Sequence, residues 1–156
     1  MYQVVKAAFE SAPHSDGTEQ DLVAKLRKSR AFIPELSLVA VEDDKIVGHI
    51  LFTKAVVKDT TLLALAPLSV LPDYQNKGIG LALMKAGHAI ARKLGYEYSV
   101  VLGYPQYYSK VGYIPASKLG IKAPFEVEDE YFMALSLNGN QAKLAGIITY
   151  DKVFGI

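Results

Sequence analysis

The stretch Leu68-Ser69-Val70-Leu71-Pro72-Asp73-Tyr74-Gln75-Asn76-Lys77-Gly78-Ile79-Gly80 carries the change from strand to helix on which the fold depends. Apolar, β-prone residues run up to Leu71, Pro72 breaks the pattern, and helical spacing begins at Lys77. A glycine-bearing loop therefore joins a strand directly to a helix N-terminus. The first amides of a helix have no intrahelical acceptor and sit at the positive end of its dipole, which makes an anion site. Gly78 and Gly80 leave room for phosphate oxygens to approach the backbone, and Lys77 adds a cation. A P-loop would need Gly-x-x-x-x-Gly-Lys-Ser/Thr, which is absent. A dinucleotide fingerprint would need a third small residue where Leu83 stands. The pyrophosphate pattern Gln/Arg-x-x-Gly-x-Gly/Ala is met at every fixed position from Gln75 to Gly80. Taken alone, the hexapeptide is also compatible with an ordinary glycine-rich helix start.

Upstream, Leu36 to Val41 and Lys45 to Val57 are strand-like runs separated by Glu42-Asp43-Asp44, a hairpin signal. A third run, Thr61 to Val70, completes a meander. Pro67 lies inside it, so that strand is at an edge or locally broken there. Before the meander, an opening strand within Met1 to Phe9 precedes a helix carrying Leu22, Val23 and Leu26, with Asp16 or Thr18 as its N-cap. Downstream, Lys77 to Leu94 reads as a helix with Ile79, Leu83, Gly87, Ile90 and Leu94 on its packed face. Gly95 ends it. Then come a strand from Tyr96 to Leu102, a short helix from Pro105 to Val111 and an irregular stretch from Pro115 to Asp129. Two last strands, Tyr131 to Leu137 and Leu144 to Tyr150, are joined by Asn138-Gly139-Asn140. The order predicts an α+β fold with a largely antiparallel sheet.

The chain has 156 residues, 51% hydrophobic and 21% charged, which suits one domain with its own core and excludes a disordered polymer. Seventeen basic against sixteen acidic residues leave a net charge of +1, so no field favours nucleic acid or an anionic membrane. With no cysteine, a disulfide scaffold, a thiolate metal site and a cysteine acyl-enzyme are excluded, and three scattered histidines predict no metal site. Leu62 to Leu71 is too short to span a bilayer, and Met1 to Phe9 lacks a basic leader, so the cytoplasm is the default compartment.

Motifs around the loop extend the pattern. Pro67 to Gly80 fits Pro-Leu-x-Val-x-Pro-x-x-Gln-x-x-Gly-Ile-Gly. Val101-Leu102-Gly103 follows, then Tyr107-Tyr108-Ser109-Lys110-Val111-Gly112-Tyr113, Pro124-Phe125 and Tyr131-Phe132-Met133-Ala134-Leu135. In this order they resemble the GNAT superfamily of acyl-CoA-dependent N-acetyltransferases, from about Leu36 to the C-terminus. The resemblance implies a single domain over residues 1–156, with a mixed, largely antiparallel twisted sheet flanked by helices on both faces. It implies acetyl-CoA as co-substrate, with its pantetheine arm beside Leu68, Ser69 and Val70. The pyrophosphate would lie on the amides of Gln75, Asn76, Lys77, Gly78, Ile79, Gly80 and Leu81.

The implied reaction is direct attack of a neutral amine on the thioester in a ternary complex. The family's tyrosine, four residues before the glycine of the Gly-Phe/Tyr pair, falls on Tyr108 as general acid to the departing thiolate, with Tyr107 as its alternative. Val101 and Tyr104 stand where many members have asparagine and alanine. A lysine-like ammonium titrates near 10.4, so a base is needed as well. Glu35 and His49 are the candidates, and ordered water is a third route. Tyr74, Tyr104, Tyr107, Tyr113 and Tyr131 form an aromatic set suited to an acceptor pocket or to a core and its rim. The acceptor is a small-molecule or protein amine, and the C-terminal pair, ending at Tyr150 to Ile156, offers a homodimer edge. The competing classes are a non-catalytic acyl-CoA-binding or regulatory module and a generic nucleotide-binding protein.

Overall fold

Strand alternation sorts the side chains of the central sheet into two layers, and each layer is capped by different parts of the chain. The computed structural model describes residues 19–139 and 143–154. The expected opening strand within Met1 to Phe9 and the N-cap candidates Asp16 and Thr18 lie outside the described residues. The elements are α1 (Glu19–Leu26), β1 (Phe32–Glu42), β2 (Lys45–Val57), β3 (Thr60–Val70), α2 (Ile79–Lys93), β4 (Tyr98–Leu102) and α3 (Pro105–Tyr108). They continue with β5 (Ile114–Pro115), β6 (Ile121–Lys122), β7 (Phe132–Ser136) and β8 (Gly146–Ile147). The main sheet runs β1-β2-β3-β4-β7-β5, and β6 pairs with β8 separately. Within the main sheet only β3 and β4 are parallel neighbours. This is the predicted α+β architecture.

On one face, Ile50 and Phe52 of β2, Leu63 and Leu65 of β3, and Met133 and Leu135 of β7 meet Leu83, Met84 and Ala91 of α2. On the other, Ala55, Leu62, Ala64, Val100 and Ala134 meet Leu119, Ile121 and Ile148. There α1 also lays Val23 and Leu26 over Leu51. Helices thus flank both faces. Each fully buried Leu or Phe contributes about 1.5–3 kcal/mol relative to exposure, so the two layers supply the main stabilisation. No helix among the described residues is long and apolar enough to cross a membrane.

Several expectations need correcting. The buried stripe of α2 is Gly80, Leu83, Met84, Gly87, His88 and Ala91. Of the predicted face, Leu83 and Gly87 belong to it, Ile79 and Ile90 pack against the same core half-buried, and Leu94 is 42% exposed. The packed face is set partly from outside the helix. A Cβ on Gly87 would collide with Phe52, so the helix packs close at that point. His88 is drawn inward by a 2.9 Å hydrogen bond with the Tyr113 hydroxyl. β1 starts at Phe32 instead of Leu36, and β4 at Tyr98 instead of Tyr96.

The last two predicted strands do not pair with each other. β7 lies between β4 and β5, while only Gly146–Ile147 of the later run is strand, parallel to β6. Thr149 makes a single bridge to Val56. The stretch from Pro115 to Asp129 is more ordered than expected, because Ala116, Leu119 and Ile121 fill the second core layer. Residues 143–154 are thereby folded back onto their own chain.

Pro67 resolves as a local break in an interior strand. The β3–β4 ladder holds only at Leu63↔Ser99 and Ala64↔Val100. Against β2, Leu68 pairs with Ile50 and Leu65 with Phe52, so three steps on β3 face two on β2. One extra residue bulges there, and the Ala66–Pro67 peptide is cis.

Candidate active site

Past Ala64 and Val100 the two parallel strands part. β3 stays with β2, placing Leu68, Ser69 and Val70 opposite Ile50, His49 and Gly48. β4 stays with β7, placing Val101 and Leu102 opposite Met133 and Phe132. A cavity of about 540 Å³ is lined by Leu68, Val70, Tyr74, Gln75, Asn76, Gly78, Ile79, Gly80, Leu81, Tyr107, Tyr108 and Lys110. A second, of about 390 Å³, is lined by residues of β3 and β4 together with Leu22, Tyr108, Phe125, Tyr150 and Phe154. Leu68 and Tyr108 belong to both walls.

The loop of the first cavity is held by its own residues. A 3₁₀ turn covers Pro72–Tyr74, and the Gln75 side-chain amide donates to the Val70 carbonyl at 2.9 Å. Asn76 and Gly78 are left-handed, at φ +62° and +83°. Gly78 caps α2 with no side-chain hydrogen bond, so no side chain blocks the amides of the first turn. Lysines ring the mouth. The ammonium groups of Lys45 and Lys77 lie 5.8 and 5.4 Å from the centre of the Tyr74 ring, and that of Lys110 lies 5.8 Å from Tyr107. Free amides and cations around a concave site suit a polyanion such as a pyrophosphate.

Of the residues expected here, all but Ser69 and Lys77 line the first cavity. Lys77 stands at its mouth, and Ser69 is buried with its hydroxyl unpartnered. Gly80 lines the cavity and has a further role, because a Cβ there would collide with the Tyr107 hydroxyl. Its missing side chain makes space for a tyrosine. Gly78, by contrast, has open space around its Cβ position, and what requires glycine there is the positive φ.

Tyr108 is seated in the same manner, since a Cβ on Gly103 would collide with its ring. It packs edge-on against Tyr107 and Tyr113, with ring centres 5.2 and 5.9 Å away. Behind it the Tyr113 hydroxyl hydrogen-bonds Ser99 Oγ at 2.8 Å and His88 Nε2 at 2.9 Å. Burial, and then the neighbouring Tyr107, push the Tyr108 phenol up to about 12, so it is protonated at neutral pH. Its hydroxyl has no hydrogen-bond partner among the described residues.

Neither base candidate lines either of these two cavities. His49 is fully buried on β2, with Nε2 3.3 Å from Ser37 Oγ, which accepts from Arg27 at 2.9 Å. Burial above all lowers its pKa to about 4, with the Arg27 charge a lesser contribution. Glu35 is exposed on β1, and its charge helps raise the phenol of Tyr96, which precedes β4, whereas the two cavities open where β4 ends. Of the aromatic set, Tyr74 and Tyr107 line the first cavity, while Tyr113 is core. Tyr104 and Tyr131 pack edge-on against each other, 6.3 Å apart, outside both cavities. Phe125 is expected only as part of a motif, and Tyr150 and Phe154 only within a homodimer edge, whereas the structure places all three in the second cavity. The aromatic pair at Tyr150 and Phe154, four apart where strand alternation fades, was the available signal.

The sequence profile of the acetyltransferase (GNAT) family matches residues 1–113. The chain is 40% identical over 138 residues to the uncharacterized N-acetyltransferase YjhQ of Escherichia coli K12, covering 83% of this chain and 76% of that protein. A GNAT family acetyltransferase from Brucella melitensis, solved in complex with acetyl-CoA, is 32% identical with a TM-score of 0.79, over 98% of this chain and 88% of that one. Escherichia coli YhbS, solved in complex with CoA, shares the fold at a TM-score of 0.86 and 24% identity, over 99% and 87% of the two chains. With the family's profile spanning most of the chain and a relative at 40% identity, this protein belongs to the GNAT acetyltransferase family.

Proposed function

We propose that this acetyltransferase moves the acetyl group of acetyl-CoA to a primary amine by direct attack, with the co-substrate in the first cavity and the acceptor in the second. The observation that carries this is the pair of cavities meeting at Leu68 and Tyr108 in the opening between β3 and β4. The first cavity fits the donor, because its uncapped helix start and ring of lysines suit a pyrophosphate. The acetyl-CoA complex of the Brucella relative supports acetyl-CoA as the donor.

When bound, acetyl-CoA supplies a thioester carbonyl activated towards amines. The amides from Gln75 to Leu81 hold the pyrophosphate, and the backbone of Leu68 to Val70, released from β4, lies along the pantetheine arm. As the new carbon–nitrogen bond forms and the carbon–sulfur bond breaks, Tyr108 gives its hydroxyl proton to the sulfur. The amine nitrogen releases its proton to water, which restores Tyr108. Tyr108 is better placed than Tyr107, since it alone of the two reaches both cavities.

Calorimetric titration with acetyl-CoA tests the assignment, with 3′,5′-ADP and ATP as controls. Saturable binding selective for the CoA scaffold is expected, and its absence would remove acetyl-CoA from the first cavity. Tyr108→Phe is expected to lower kcat by about 10²-fold or more while leaving acetyl-CoA affinity near that of the parent. Equal losses in both would make Tyr108 a binding residue.

A further inference from the structure

The second cavity has an unusual wall for a site that must accept an amine. Phe125 and Tyr150 stack with ring centres 6.5 Å apart and planes at 16°, and Phe154 tilts against Tyr150 at 5.3 Å. Leu22 and Pro67 complete the apolar surface. Among the described residues, no lining side chain carries a formal charge. The polar side-chain groups are the hydroxyls of Tyr108 and Tyr150, neither hydrogen-bonded among the described residues.

From this lining we infer that the acceptor is a primary amine carried on an aromatic or comparably apolar group, without a carboxylate and without a second cationic centre. The inference rests on acetyl-CoA occupying the first cavity and names the class of molecule in the second. Among the described residues, an amino acid would bring a carboxylate with no cation in the lining to meet it, and a polyamine would bring ammonium groups with no anion. Burying such an unpaired charge is costly. A ring with a short aminoalkyl arm instead lays its ring against Phe125, Tyr150 and Phe154 and points nitrogen at Tyr108. The volume of about 390 Å³ lies at the small end for ligand sites, which run from about 300 to 1,000 Å³.

The same wall addresses the proton on the amine. Desolvation disfavours an ammonium and lowers the pKa of the bound amine. The cavity therefore selects the neutral nucleophile, with the proton left in water at the mouth. No carboxylate or imidazole needs to reach the nitrogen, in keeping with Glu35 and His49 lining neither cavity.

The test compares 2-phenylethylamine with phenylalanine, which differs by the carboxylate alone, and with spermidine. CoA release is followed in the presence of acetyl-CoA, and amine binding is read separately by saturation-transfer NMR. The kcat/KM for 2-phenylethylamine should exceed both others by about 100-fold or more. Phe154→Ala should raise its KM about 10-fold with the KM for acetyl-CoA unchanged. Phe125→Arg, verified as folded by circular dichroism, should lower turnover of 2-phenylethylamine and raise that of phenylalanine.

Equal or better turnover of phenylalanine, spermidine or a peptide amine would overturn the acceptor class. So would failure of 2-phenylethylamine to bind while calorimetry shows acetyl-CoA bound. Binding of 2-phenylethylamine to a protein that takes no acetyl-CoA would sink the acetyl-transfer assignment and leave the cavity's ligand class standing.

Discussion

Lowering the pH from 7.5 to 5.0 should cost this protein several kcal/mol, through two histidines buried in the neutral form. His49 and His88 are 0% and 3% exposed. Each has its pKa lowered to about 4 by burial first, helped by the charge of Arg27 for His49 and of Arg92 for His88. In the unfolded chain both titrate near 6.5. Between those values the unfolded state binds protons that the folded state refuses, so stability present above pH 6.5 is lost as the pH falls towards 4. The full loss is about 3 kcal/mol per histidine, and at pH 5.0 about 2 kcal/mol each.

Urea unfolding followed by far-ultraviolet circular dichroism at the two pH values measures the loss directly. His88→Leu should roughly halve it. At pH 7.5 that variant should itself cost about 1–2 kcal/mol, because Tyr113 keeps its bond to Ser99 but loses the imidazole. If His88→Leu lost as much stability on acidification as the parent, buried His88 would not be the titrating group.

Three further outcomes are expected. Gly80→Ala should weaken acetyl-CoA binding about 10-fold by displacing Tyr107, and adding Tyr107→Phe should restore most of it, since the collision is with the hydroxyl. Calorimetry on both variants checks this, and no rescue would mean that Gly80 serves the ligand directly. Gly103→Ala should lower kcat much more than acetyl-CoA affinity, because its Cβ would collide with the Tyr108 ring. Steady-state kinetics with a fixed amine would show the split. Tyr113→Phe should destabilise the fold by about 1–3 kcal/mol in urea titrations, since it leaves His88 and Ser99 buried without their shared partner.

The loop from Gln75 to Gly80 and the strands before it were legible because their determinants are local. Pro72 stops a strand, Gly78 permits a left-handed cap, and the polar turn Glu42-Asp43-Asp44 divides the apolar runs on either side into two strands. The break at Pro67 was half legible. A missing N–H announces a disturbed ladder, but whether the strand is an edge or an interior strand depends on β4, some thirty residues later. The face of α2 is legible only in part, because His88 is buried for a reason outside the helix, its hydrogen bond with Tyr113.

Local chemistry thus determined most of the order of elements, the strand–loop–helix junction and the free amides at its helix start, because backbone conformation is set within a few residues. Tertiary structure alone decided that β3 and β4 part beyond Ala64 and Val100, that Tyr108 reaches both cavities, and that Phe125, Tyr150 and Phe154 form one wall. Those residues come from segments with no shared periodicity. They meet only when the chain after β7 folds back over the sheet to bury Ile148 beside Leu119 and Ile121. Packing of that kind is a property of the whole core, and no short window of sequence contains it.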